Sequence, residues 1–346
     1  FAAGPVTSSL AEARSGSTVA QVLVESGTVS EEQLARATSK PYEVLIRVAY
    51  SGICGSELSG YEGKNSLRKP PLIMGHEFSG YIDQIGDQAA LRRPELALGL
   101  PVTANPLITC GLCPYCLSGR QSLCIQRKLL SAALPGSNAE YVAVSADSVY
   151  LLPDGMSMTI AALAEPVACA VHSAELVKPR PSESGLVIGA GPIGLLMIQA
   201  LFDYGLKTIY CADLNPQRLA MAESLGAIPV QTADLINQVD VVVDAVGASA
   251  TRQACITAAR AGGRVVFIGL HEPDTTLPIN DIIRREIVAY GSFAYTPLDF
   301  RQALYGLSAR RYWLDESWTR IEPLANCTRM PTPSPPPLAW LPLMRV

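Results

Sequence analysis

The sequence has no cationic surplus. Its 346 residues carry 27 Lys and Arg against 31 Asp and Glu, a net charge of −4. No surface is available to neutralise a phosphate backbone, which excludes nucleic acid as a partner. Charge of either sign is modest at 17%, while 49% of residues are hydrophobic, the balance of a packed chain rather than a disordered one. Histidine is scarce, with only three. The start lacks a basic stretch followed by a small-residue cleavage site, so no secretory signal is expected and the cytosol is the expected compartment. Gly185 to Phe202 carries no charge and raises the question of a membrane helix. Its four glycines and Pro192 fall where a strand would turn into a helix, so a buried strand-turn-helix explains it better, and no membrane association is expected.

Nine cysteines are present, an odd number, and four crowd together as Cys110, Cys113, Cys116 and Cys124. Without a signal peptide, such clustering points to thiolates on a metal in a reducing compartment rather than to a disulfide framework. Four soft ligands at this spacing suit a closed tetrahedral zinc site, and Gly111, Pro114 and Gly119 supply the turns that fold the sulfurs inward. A closed site binds no substrate, so its role is to hold a lobe together. A DNA-binding zinc ribbon would need surrounding basic charge, which is missing.

Along the chain, Ser30-Glu31-Glu32-Gln33 has the form of a capping box and predicts a short helix through Ala37. Val44, Ile46 and Val48 alternate with Leu45, Arg47 and Ala49, a strand pattern, and Gly80–Ile85 and Tyr141–Val144 read as further strands. From Thr159 the rhythm changes: a helix over Ile160–Leu176, then strand Leu186–Ile188, helix Ile193–Tyr204, strand Thr208–Ala212 and helix Pro216–Leu225. Strands at Val239–Val243, Arg264–Ile268 and Ile287–Tyr290 follow. The fold class is therefore α/β, an irregular β-rich part followed by a doubly wound parallel sheet. After Leu307 the helical pattern lapses. Pro331, Pro333, Pro335, Pro336, Pro337 and Pro342 then predict neither a helix nor a central strand.

Gly189-Ala190-Gly191-Pro192-Ile193-Gly194 is a G-x-G-x-x-G between an apolar strand and an apolar helix. Gly189 permits the tight turn, Gly191 lets backbone approach a pyrophosphate, and Gly194 packs helix on strand. The helix start at Pro192 and Ile193 offers free N–H groups and a positive dipole end. Asp213 ends the next strand, where an acid accepts from a ribose 2′-hydroxyl and repels a 2′-phosphate. That predicts NAD rather than NADP, with Arg218 a further cofactor contact. Cys54 in Gly52-Ile53-Cys54-Gly55-Ser56 and His76 in Gly75-His76-Glu77 form a sparser set. Taken alone, such a cysteine is usually core and such a histidine a satisfied polar group.

These residues nevertheless carry a resemblance. The run Val44 to Ile85, with Cys54-Gly55-Ser56-Glu57 and Gly75-His76-Glu77-Phe78-Ser79-Gly80, resembles the zinc-dependent medium-chain dehydrogenases. The four-cysteine lobe, Glu165-Pro166 and the Gly189 fingerprint follow in that family's order. Glu165, where the ethanol enzymes carry a third zinc-binding cysteine, makes it similar to the sorbitol, threonine and sugar-alcohol-phosphate branch. The resemblance covers roughly residues 43 to 307.

It implies a GroES-like catalytic domain over 1–158 with the metal lobe near 105–126, a Rossmann domain over 159–296, and a return to the catalytic domain over 297–346. It assigns a catalytic zinc to Cys54 and His76, with Glu77 and Glu165 as ligands directly or through water, so two zinc ions per chain. Ser56 falls where the family places the hydroxyl that bonds the substrate alcohol. Tyr61, Phe293 and Tyr295 are the implied pocket aromatics, while Arg68, Lys69 and Arg285 are cations available to a phosphate-bearing substrate. The chain departs from the family at Ser59, where many relatives carry a relay histidine, at Glu57, which replaces an aspartate, and at both ends. The expected activity is hydride transfer between a secondary alcohol, polyol or sugar-derived, and NAD. The alternative is a zinc- and dinucleotide-binding relative without turnover, serving a regulatory or structural role. The expected partners are a small-molecule alcohol and further copies of the chain in a dimer or tetramer.

Overall fold

The computed structural model describes residues 40–69, 71–313, 319–324 and 341–346. The helix expected from Ser30 and the prolines at 331–337 lie outside them. No helix among the described residues is long and apolar enough to cross a membrane.

Two sheets organise the chain. The first has seven strands, in the order Thr319–Pro323, Leu341–Arg345, Glu43–Gly52, Glu77–Ile85, Pro101–Ala104 and Val149–Leu151, with Tyr141–Ser145 pairing onto Glu43–Gly52 as well. Val44, Ile46 and Val48 enter its core with Phe78, Ile82, Val142 and Val144 while Arg47 stays exposed, as the alternation requires. The second sheet is parallel, in the order Ile228–Pro229, Thr208–Ala212, Ser184–Ile188, Val239–Asp244, Ala259–Phe267 and Val288–Gly291. Strand order reverses between Ser184–Ile188 and Val239–Asp244, and a ligand crevice opens at the carboxyl ends of such a pair.

The expected single helix over Ile160–Leu176 is two, Met158–Ala161 and Ala164–Val177. Pro166 is the physical reason. In one continuous helix its ring would clash with the carbonyl of Ala162; in the first turn of a new helix its missing N–H is not needed. The break sets Glu165 in that first turn, facing the first sheet's metal-type residues. Helix Pro297–Ser308 contributes Phe300, Ala303, Leu304 and Leu307 to the core shared with the parallel sheet and helix Ala164–Val177.

The proline density argued against a central strand at the C-terminus, yet Leu341–Arg345 lies between Thr319–Pro323 and Glu43–Gly52. Its ladder to Glu43–Gly52 begins at Leu343, opposite Gly52, beyond Pro342. The missing N–H therefore removes no bond on that side.

Candidate active site

Cys54 ends the turn after strand Glu43–Gly52 and caps the short helix Gly55–Tyr61; His76 and Glu77 stand at the start of the antiparallel neighbour Glu77–Ile85. One ligand atom from each of Cys54, His76 and Glu77 lies within 4.8 Å of the other two. Glu165 falls outside this triplet, though its buried carboxylate is close enough to act on Glu77. Ser56 Oγ donates to Cys54 Sγ at 3.1 Å, one hydrogen bond from the cluster. Ser59 donates to its own helix at Gly55 O, 3.2 Å, so its hydroxyl is committed locally.

Glu57 is the residue whose importance the sequence concealed. Its Oε1 accepts from Gly75 N–H (2.7 Å) and Ser131 Oγ (2.6 Å) and lies 2.7 Å from His76 Nδ1. Its Oε2 takes the Cys54 N–H at 3.3 Å. A carboxylate on Nδ1 fixes the imidazole and leaves Nε2 for a metal. An acid three residues after a helix N-cap was the available signal. Burial works against Glu57's charge, but bonds to His76, Ser131 and Gly75 outweigh it and hold the carboxyl below its ordinary range. Burial likewise opposes charge on His76, yet its bonds to Cys54 and Glu57 raise it well above the ordinary imidazole value.

Glu77 goes the other way, pushed up to about 8 by burial and by the charge of Glu165. Glu165 is itself raised, chiefly by burial. Two buried carboxylates beside a thiol form a donor set that wants a divalent cation, and Cys, His and carboxylate together fit zinc with a position left open. The fit has a pH signature. With no metal, Glu77 favours its proton in the folded chain, so its contribution to stability is complete below the unfolded value near 4.5 and is lost as pH rises to about 8. Chelator-treated protein should therefore lose thermal stability between about pH 5 and 8, by up to about 1.4 kcal/mol per pH unit, relative to zinc-replete protein. Parallel melting curves for the two forms across that range would contradict this.

Cys110, Cys113, Cys116 and Cys124 form the second cluster. Their sulfurs stand 3.9 Å (Cys110–Cys116), 3.6 Å (Cys113–Cys116) and 3.5 Å (Cys110–Cys124) apart. Those separations exclude disulfides and match the roughly 3.8 Å between sulfurs on a tetrahedron with bonds of about 2.3 Å to zinc. Backbone N–H groups of the knuckles lower Cys110 and hold Cys113 at about 6, whereas burial pushes Cys116 up to about 11.

At the carboxyl ends of the parallel sheet, Gly189 turns the chain with φ +97° and helix Pro192–Asp203 starts on Gly191. A Cβ on Gly194 would strike the Gly189 carbonyl, so only glycine lets helix and strand meet; above Gly191 the space is open. Ile193 follows in the first turn. Asp213 Oδ2 accepts the Ala190 N–H and Oδ1 the Asn215 N–H, both at 2.7 Å. Each oxygen keeps a lone pair for a ribose hydroxyl. Arg218 Nε is buried without a partner, an orphan donor that a bound dinucleotide would satisfy.

Other expectations change. Tyr61 and Phe293 are exposed, but Tyr295 is fully buried against Phe300, with ring centroids 5.7 Å apart, so it is core rather than pocket wall. Its hydroxyl faces the Glu165 carboxylate. Arg285 is spent on the carbonyls of Ala259 and Ile256, Arg68 is buried, and Lys69 is exposed.

Residues 40–154 match the alcohol dehydrogenase GroES-like domain and residues 192–309 the zinc-binding dehydrogenase domain. The D-arabitol-phosphate dehydrogenase of Enterococcus avium is 34% identical over 300 residues, 82% of this chain and 84% of that protein. The sorbitol dehydrogenase of Bacillus subtilis is 33% identical over 270 residues, 73% and 75% of the two chains. Galactitol-1-phosphate dehydrogenase from Escherichia coli superimposes with a TM-score of 0.78 at 27% identity, over 89% of this chain and 93% of that one. The chain belongs to the zinc-dependent medium-chain dehydrogenases, in their sugar-alcohol branch. It is an oxidoreductase that uses zinc and a nicotinamide dinucleotide.

Proposed function

We propose that the chain oxidises a secondary alcohol of the polyol class with NAD as hydride acceptor, in the cytosol and as a homo-oligomer. The observation that carries the reading is the meeting of half-buried Cys54 and buried His76 and Glu77 with Glu165, whose helix packs into the core of the parallel sheet that carries the Gly189 loop. Cys54, His76 and Glu77 would hold one zinc ion, with Glu165 reaching it directly or through water, and the four-cysteine lobe would hold a second. Zinc bound there acts as a Lewis acid that eases loss of the alcohol proton near neutral pH. Ser56 Oγ, beside Cys54, receives that proton and hands it to solvent or to the cofactor ribose, because Ser59 is committed to Gly55. The backbone at Gly191 cradles the pyrophosphate, and Asp213 with Arg218 takes the adenosine end.

Four cysteines held as thiols suit a reducing compartment. The exposed edge strand Val288–Gly291 supports association with another copy. For the domain division, the packing of helix Pro297–Ser308 with the parallel sheet supports a return to the catalytic domain at Thr319 rather than at 297. Burial of Arg68 and commitment of Arg285 favour an unphosphorylated polyol. NADH formation from sorbitol, xylitol and arabitol, compared with their phosphates and with ethanol, tests the reading. Zinc and NAD bound without turnover of any of these would favour the non-catalytic alternative.

Cofactor choice offers a second test. Asp213→Ala should weaken NAD binding by about 1–3 kcal/mol, some 5–150-fold, and erode the preference over NADP. Equal use of both cofactors by the unaltered chain would overturn the role of Asp213.

A further inference from the structure

We propose that Arg68 and Ser131 are positioning residues of the metal centre, acting through Glu57 to set the ring of His76. The inference rests on the metal-site reading above and extends it outward to Ser131, which neither the motifs nor the family comparison singles out, and to Arg68, which the sequence offered only as a cation for a phosphate. Arg68 Nε donates to Ser131 Oγ at 3.4 Å, Ser131 Oγ donates to Glu57 Oε1 at 2.6 Å, and Glu57 Oε1 meets His76 Nδ1 at 2.7 Å. The four residues come from separate stretches of chain and are all buried, with exposures of 6% for Arg68, 0% for Ser131, 2% for Glu57 and 4% for His76.

Two features set this row apart from ordinary core polar contacts. Ser131 has φ +67°, a left-handed conformation that glycine adopts freely and a serine only at a cost. The surroundings hold it there, and what the serine adds over a glycine is the hydroxyl aimed at Glu57. Arg68, in turn, keeps its guanidinium out of water although Nη2 finds no partner. Its stem lies against Gly60, where a Cβ would collide with it. A buried cation left partly unsatisfied is tolerated where a buried anion stands close, and Glu57 is that anion, one hydroxyl away. With Ser131 and Gly75 both donating to Oε1, Glu57 cannot rotate away from Nδ1, and the imidazole keeps its other nitrogen towards Cys54 and Glu77.

Ser131→Gly separates this role from a structural one, because glycine suits the backbone angle and loses only the hydroxyl. In the full chain, the weaker of its two zinc dissociation constants should rise about 10–100-fold, while the melting temperature of the chelator-treated protein stays close to that of the unaltered chain, because glycine suits the backbone angle. The visible spectrum of cobalt exchanged into the same site should shift, and kcat should fall while KM for NAD holds. Arg68→Met should show the same changes in smaller measure and Arg68→Lys should recover part of them. The double variant Ser131→Gly/Arg68→Met should be no worse than Ser131→Gly, since the two act in series. Wild-type zinc affinity and an unshifted cobalt spectrum in Ser131→Gly overturn the proposal while leaving the metal site standing. Loss of all bound zinc in Cys113→Ser, showing that the unaltered chain holds none at Cys54, His76 and Glu77, overturns the metal-site reading, and this proposal with it.

Discussion

Replacing His76 with alanine should abolish alcohol oxidation and leave NAD binding at the Gly189 loop nearly unchanged. His76 is buried, joined to Glu57 on one nitrogen and to the Cys54 and Glu77 cluster on the other side. Among the chain's three histidines it alone has this setting: His172 Nδ1 is taken up by Asp299 at 2.8 Å, and His271 is exposed. A Lewis acid is worth several kcal/mol to the reaction and each 1.4 kcal/mol is about tenfold, so kcat/KM should drop by about a thousandfold or more. Because the cofactor loop belongs to the other sheet, NAD titration by fluorescence should return a near-normal dissociation constant. Glu165→Gln provides the contrast. Lying outside the three-residue cluster, it should retain zinc and lose about 10–100-fold in rate. Normal zinc content and normal turnover in both variants would show the active site to be elsewhere.

Cys113→Ser should cost the protein one of two zinc ions and a large part of its stability. The reason is how little else holds the lobe. Its buried core is Cys113, Cys116 and Cys124, packed by Cys110, and its larger apolar side chains point outward, with Leu112 81%, Leu117 74% and Ile125 70% exposed. Without the metal, four buried or half-buried thiols remain and almost no apolar area is gained on folding. Structural zinc contributes folding energy directly, and a loss of about 3 kcal/mol corresponds to a fall of about 4 °C in melting temperature for a chain of this size. Elemental analysis and a melting curve check both halves. A one-zinc variant that melts with the unaltered chain would remove the structural role of the lobe.

The two motifs that were most legible in the sequence owe this to local geometry. A G-x-G-x-x-G and a run of four closely spaced cysteines each fold within about thirty residues, so spacing alone constrains what they can bind. The parallel sheet was legible for a related reason: its strands and helices alternate at short intervals, and hydrophobic period separates the two. The closing strand Leu341–Arg345 was not, because composition cannot tell a proline inside a ladder from one just past its end. Nor was the break at Ala162 and Leu163, where an unbroken apolar pattern hid the effect of Pro166.

By itself, then, the sequence determined the family, the fold class, the four-cysteine lobe and the dinucleotide loop, since each depends on residues that are neighbours along the chain. Tertiary structure alone decided that Glu57 meets His76, that Glu165 stands beside Glu77 but outside the cluster of Cys54, His76 and Glu77, that Tyr295 is core, and that Arg68 and Ser131 stand behind Glu57. Ser131 is 74 positions from Glu57, and Glu57 is 19 from His76. Contacts at such separations come from how strands pair and loops cross. A pattern of residue types along the chain carries no record of which buried donors will share one carboxylate oxygen.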